Sequence, residues 1–173
     1  MYSAMDIARY IINFCIDIGN PISNLKLQKI LYYVQAAFMI EECEPCFNEE
    51  IIKWRHGPVV INVYKSYQRF IGGTINERQE KYIDYEYTNN FHVKIVTKTF
   101  DADIIKERHR KLINKVVLCL IGMGDWDLVQ KTQEEDPYIN TEKDEIITIA
   151  SIYAYFNNCF INEGRIYGKY YTK

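Results

Sequence analysis

Ser23-Asn24-Leu25-Lys26-Leu27-Gln28-Lys29-Ile30-Leu31-Tyr32-Tyr33-Val34-Gln35-Ala36-Ala37-Phe38 is the stretch that decides the fold class. Leu27, Ile30, Leu31, Val34 and Phe38 recur at i, i+3, i+4, i+7 and i+11, the row that one buried face of an α-helix presents. Ser23 stands where an N-cap belongs. Its hydroxyl can accept from an orphan amide of the first turn, and Ile22 can staple against Leu27 across that turn. Pro21 bars an earlier helix from running on into this one. The row predicts a helix at the buried centre of the molecule, with Trp54 close to it.

The flanking stretches repeat the helical theme. Ala8, Ile11, Ile12, Cys15 and Ile16 mark a helix over residues 4–18, stopped at Gly19. Downstream, Ile51 to Arg55 is short, rich in strand formers and predicts a strand. Gly57-Pro58 reads as a turn into a third helix with proline at its first position, Val60, Tyr64, Tyr67 and Ile71 on one face, and Gly72-Gly73 at its end. Residues 82–87 and 91–97 alternate loosely around Asn89-Asn90, the pattern of a small hairpin. Asp101 or Asp103 caps a long helix with Ile105, Leu112, Val116, Cys119 and Leu120 inward, ending at Gly122, and Asp125 opens a short helix to Thr132. Thr141 with Asp144 three residues later forms a capping box for a last helix carrying Ile146, Ile149, Ala150 and Tyr153. The expected fold is mainly α: a single compact helical domain of about six helices over 1–156 with a minor β hairpin or short strands, then a polar and aromatic C-terminal tail, 157–173.

Composition narrows the function classes. Of the 173 residues, 21 are Lys or Arg and 23 Asp or Glu, a net charge of −2, so bulk charge does not hold this chain to nucleic acid or anionic lipid. No direct nucleic-acid binding is expected. No run approaches the ~18–20 uncharged apolar residues of a membrane span. Met1 to Arg9 carries Asp6 and no basic start before an apolar run, unlike a signal peptide. Five cysteines, an odd number without a secretion signal, read as reduced thiols in the cytoplasm.

Three local constellations carry candidate chemistry. Cys43-Glu44-Pro45-Cys46 is a lone CxxC. Zinc needs about four ligands, and only His56 lies nearby in sequence, so two ordinary thiols and no metal are expected. Trp54-Arg55-His56-Gly57-Pro58 gathers an aromatic ring, a guanidinium and an imidazole ahead of the predicted third helix. A helix start could receive a carboxylate or phosphate there, and the histidine could act as acid or base; the plain alternative is a turn with Trp54 packed on the core. Lys106 to Lys111 is a basic run broken by Glu107, read as a solvated face with local ion pairs. A P-loop, GxGxxG, GxSxG, HExxH and EF-hand loop are all absent from the sequence, which removes the common enzymes.

Residues 23–33, then Phe47-Asn48-Glu49-Glu50-Ile51-Ile52-Lys53-Trp54-Arg55-His56-Gly57-Pro58-Val59-Val60 and Val63-Tyr64, resemble the Panacea domain, the SocA-like antitoxin domain also known as phage-associated protein. The family pattern runs Thr/Ser-Asn-Leu-Lys-Leu-Gln-Lys-Leu-Leu-Tyr, then Trp with Gly-Pro-Val, then Val-Tyr. The similarity covers roughly residues 4–150 and thins after 65. Leu128 to Tyr138 resembles a family segment Leu-x-x-x-Thr-His-x-x-x-Pro-Trp, with Gln133 in place of the histidine and Tyr138 in place of the tryptophan.

The resemblance implies a bacterial antitoxin that neutralises a cognate protein toxin, encoded adjacently, by direct protein–protein binding, without enzymatic activity or cofactor. Tyr32, Tyr33, Trp54, Arg55, His56, Gly57, Pro58 and Val59 are the expected partner-binding residues, an aromatic edge beside an arginine-bearing turn. Two alternatives stay open: a small hydrolase or thiol enzyme using His56 or Cys43/Cys46, and a proteolytic adaptor that delivers a toxin to a protease. Self-association is also left open.

Overall fold

In the computed structural model, which describes residues 1–70, 72–87 and 93–163, α1 (Ala4–Asp17) and α2 (Asn24–Glu41) follow one another across the Gly19–Ile22 break. Ser3 and Ser23 cap them, each side-chain oxygen accepting from the amide three residues on. Then come β1 (Ile52–Trp54), β2 (Gly57–Val59), α3 (Ile61–Ser66), β3 (Lys81–Tyr87), β4 (Val93–Thr99), α4 (Glu107–Leu120), α5 (Asp125–Gln133), α6 (Asp136–Ile139) and α7 (Ile149–Glu163). Single 3-10 turns occupy 68–70 and 102–104.

The central position of α2 follows from its sequence. Leu27, Ile30, Leu31 and Val34 are fully buried and Phe38 nearly so, as the apolar row requires. The helix is buried beyond that row, too, because α1, α3, α4, α5, α7 and β2 all pack on it. Its polar residues Asn24, Gln28, Lys29 and Gln35 are therefore inside, and each is bonded there. Trp54 is half-buried against Tyr64, ring centroids 5.0 Å apart.

Two antiparallel strand pairs complete the architecture, β1 with β2 and β3 with β4. Residues 144–147 run along the free edge of β1: Lys53 N–H donates to Glu145 O, Asp144 N–H to Lys53 O, and Ile147 N–H to Ile51 O. That use of the backbone explains one difference from the sequence reading. Thr141 and Asp144 open no helix; α7 starts at Ile149, and Thr148 Oγ1 accepts from Ser151 N–H at its head.

Other boundaries also move. Gly57-Pro58 belongs to β2 rather than a helix start, because Gly57 pairs with Trp54 and Pro58 with Lys53; α3 begins only at Ile61. With six residues it offers no extended N-terminal dipole. Asp101 caps the 3-10 turn by accepting from Asp103 N–H, and α4 begins after it at Glu107. The 82–97 hairpin is present, while Asn89-Asn90 and Ile71 lie outside the described residues. The expected tail boundary at 156/157 falls inside α7, and 164–173 lie outside the described residues.

Candidate functional site

The β1–β2 hairpin turns through Arg55 and His56, both exposed, and closes at Gly57 with φ of +93°. A positive φ of that size is one that L side chains rarely adopt, so glycine is required by the turn itself. Four side chains from elsewhere clamp the hairpin. Lys29 Nζ donates to Pro58 O at 2.9 Å, and Gln28 Oε1 accepts from Val60 N–H at 2.9 Å. Gln133 Nε2 donates to Arg55 O at 2.8 Å, and Tyr138 hydroxyl to Trp54 O at 2.9 Å. The two residues that depart from the family pattern thus hold the turn's own carbonyls.

The rest of the α2 motif is engaged in the same clamp. Gln28 Nε2 donates to Asn24 Oδ1, and Asn24 Nδ2 donates to Tyr64 O, each at 2.9 Å. Ser23 hydroxyl donates to the Asp125 carboxylate, and Lys26 Nζ lies 3.5 Å from it while also donating to Met123 O at 2.6 Å. The head of α2 is thereby tied to α3, to the hairpin and to the head of α5.

Lys29 is fully buried, and Pro58 O is its one hydrogen-bond partner among the described residues. Burial pulls its ammonium from 10.5 down to about 7. In the unfolded chain the same lysine keeps its proton up to about pH 10.4. At Lys29 the unfolded state therefore binds more protons between pH 7 and 10, so this residue's contribution to stability rises with pH across that window. Lys29→Met is expected to remove up to about 1.4 kcal/mol per pH unit from that slope. Urea titrations of both proteins at pH 7.5, 8.5 and 9.5 check this; identical slopes would mean that Lys29 stays charged when folded.

The hairpin borders an apolar groove of about 740 Å³. Leu25, Trp54, Val59, Tyr64, Phe70 and Trp126 supply its apolar wall, with Arg55, His56, Lys143 and Asp144 around it. His56 stands edge-on to Trp126, ring centroids 5.2 Å apart, and Trp126 is 63% exposed. Among the described residues nothing pairs with the Arg55 guanidinium, and no polar side chain hydrogen-bonds His56.

Of the expected contact residues, Trp54, Arg55, His56 and Val59 meet at this groove, and Gly57 and Pro58 build the turn beneath it. Tyr32 and Tyr33 do not join them. Both are fully buried, edge-on to each other and to Phe156. Tyr33 hydroxyl donates to Glu135 Oε1 at 2.7 Å, and burial holds the Glu135 carboxyl above its usual range. The expected aromatic edge is a core element, because α6 and α7 cover it with residues over a hundred positions away. Trp126 takes the surface place instead; its position after the Gly124-Asp125 helix start was the available signal.

Cys43 is exposed at a φ of +55°, whereas Cys46 is fully buried with its thiol pushed above the ordinary range. Among the described residues no three His, Cys, Asp or Glu side chains are grouped as a metal site needs. The basic run divides: Arg108, Arg110 and Lys111 pair with Glu42, Asp103 and Glu107, while His109 turns inward. Tyr2 hydroxyl, which accepts from Lys106 N–H, shares a hydrogen bond of 2.7 Å with His109 Nδ1.

The family model for "Antitoxin SocA-like, Panacea domain" matches residues 27–139, from the first turn of α2 through α6. Antitoxin SocA of Caulobacter vibrioides (strain NA1000 / CB15N) is 28% identical over 134 residues, covering 70% of this chain and 69% of that protein. No solved structure matches. No helix among the described residues is long and apolar enough to cross a membrane.

Proposed function

The chain belongs to the Antitoxin SocA-like, Panacea domain family, and from that premise we propose that it is a non-enzymatic antitoxin that neutralises a protein toxin by direct contact through the hairpin groove. The toxin is expected from an adjacent reading frame. One observation carries the choice of surface: the motif splits into an inward set and an outward set. Asn24, Gln28 and Lys29 are consumed in holding the hairpin, whereas Arg55, His56 and Trp126 stand around an apolar groove with polar groups unused. Folding gives no reason for a 63%-exposed tryptophan in one groove with an arginine that is unpaired among the described residues. Tryptophan and arginine around an apolar centre are what interface hot spots use.

The enzyme reading lacks geometric support. A catalytic histidine needs a nucleophile or an orienting partner within reach, and among the described residues no side chain hydrogen-bonds His56, whose ring stands edge-on to Trp126. A nucleophilic cysteine needs a lowered pKa, and burial drives Cys46 the other way. The adaptor reading shares the toxin contact and differs in the toxin's fate, which toxin levels in cells report directly.

Arg55→Ala and His56→Ala test the surface. Both side chains are exposed, so each variant is expected to keep its stability within about 0.5 kcal/mol while losing rescue of cells that express the toxin. Full rescue by both, or loss only in proportion to unfolding, would return the turn to architecture. A toxin that disappears in protease-competent cells and persists without the protease would favour delivery over blocking.

A further inference from the structure

A half-buried ribbon ordinarily turns its apolar side to the body and its charges to water. The β3–β4 ribbon is arranged the other way. Its register pairs Ile83 with Thr97 and Tyr85 with Ile95, which puts these side chains and Val93 on one face. That face is open: Ile83 is 64% exposed, Tyr85 60%, Val93 52% and Ile95 66%. The opposite face carries the charges and is the one tied to the body. There Arg9 lies 3.6 Å over the Tyr82 ring, and Lys98 bridges Asp84 at 2.7 Å and Glu86 at 3.4 Å.

Among the described residues nothing packs on the outward face. Threonine would serve a solvent-facing strand position as well as isoleucine does. An apolar patch on the order of 500 Å² stands at the upper end of what a monomer exposes, and isolated two-stranded ribbons are marginal without a covering surface.

We propose that this face is the interface of a homodimer, two copies packing ribbon on ribbon about a twofold axis. Charge and area select a second copy as the occupant. A twofold contact requires a patch complementary to itself, and a flat neutral row of isoleucine, valine and tyrosine meets that condition. The ribbon's acidic groups, Asp84 and Glu86, lie on the far side with Lys94 and Lys98, so no charge of theirs on this face selects an acidic or basic partner. Lys81, the one charge sharing the face among the described residues, sits at the ribbon's base, so an antiparallel pair of ribbons holds its two copies at opposite ends. Two patches on the order of 500 Å² bury about 1,000 Å², where specific interfaces begin. None of the five residues lines the hairpin groove, so the inference stands apart from the toxin reading.

The test is sedimentation velocity on the full chain from about 1 to 100 μM. The wild type is expected to climb with concentration toward twice the 20.6 kDa of one chain. Ile83→Lys with Ile95→Lys should stay at one chain throughout, with the thermal melt of the wild type at a concentration where both are single chains. Tyr85→Ser, which adds no charge, should weaken association roughly tenfold, and Lys94→Ala on the far face should leave it intact. A wild type that remains at 20.6 kDa to the top of the range overturns the proposal. So does a double-lysine variant that still dimerises, or a monomeric chain whose double-lysine variant loses the toxin instead.

Discussion

Gly57→Ala is expected to destabilise the domain by roughly 2–5 kcal/mol, read as a lower urea midpoint at unchanged slope. Two separate penalties add at this position. An alanine forced to the φ of +93° observed there carries about 1–2 kcal/mol of backbone strain. Its Cβ would also stand 2.6 Å from Lys29 Cε and 2.8 Å from both Lys29 Nζ and Thr132 Oγ1. A flexible lysine on a surface would swing aside, but Lys29 is fully buried and bonded to Pro58 O, so the overlap has to be relieved by the hairpin. Overpacking of that kind costs about 1–3 kcal/mol. Gly122→Ala is the control, because nothing lies within 4 Å of the added carbon, and its change should stay within about 0.5 kcal/mol. Equal effects at the two glycines would mean that the turn is not held as described.

Leu31→Ala is expected to cost roughly 2–5 kcal/mol and to lower the melting temperature by about 5–15 °C. Leu31 is fully buried in the helix that α1, α3, α4, α5 and α7 pack against, so the lost methyl groups leave a cavity with little freedom to collapse. Differential scanning calorimetry with urea titration checks both figures. A loss below about 1 kcal/mol would place α2 at the edge of the core rather than its centre.

How far the sequence could be read depended on whether the deciding contact was local. The α2 row was legible because helical periodicity depends on neighbours three and four residues away, and Leu27, Ile30, Leu31 and Val34 are all fully buried. Tyr32 and Tyr33 were misplaced because their hydroxyls suit a surface and their covering partners, Glu135 and Phe156, are remote in sequence. Gly57-Pro58 carried a helix-start signal in isolation, but pairing with Lys53 and Trp54 claimed it for a strand. Thr141 and Asp144 formed a capping box on paper, while the backbone that follows was taken by the free edge of β1. At the groove, Trp54, Arg55, His56 and Val59 lie together because the motif is contiguous. Trp126 was missed because only the fold brings α5 beside the hairpin.

The central claim is that the hairpin groove holds the toxin. Its most direct measurement is calorimetric titration of the purified full chain with the purified product of the adjacent reading frame, using wild type and Trp126→Ala. The account predicts a saturable complex with the wild type and at least a roughly 30-fold weaker one with Trp126→Ala, the loss of about 2 kcal/mol that a hot-spot tryptophan gives, with the thermal melt of the variant unchanged. Equal affinity for the two proteins, or no complex with the wild type, would contradict it.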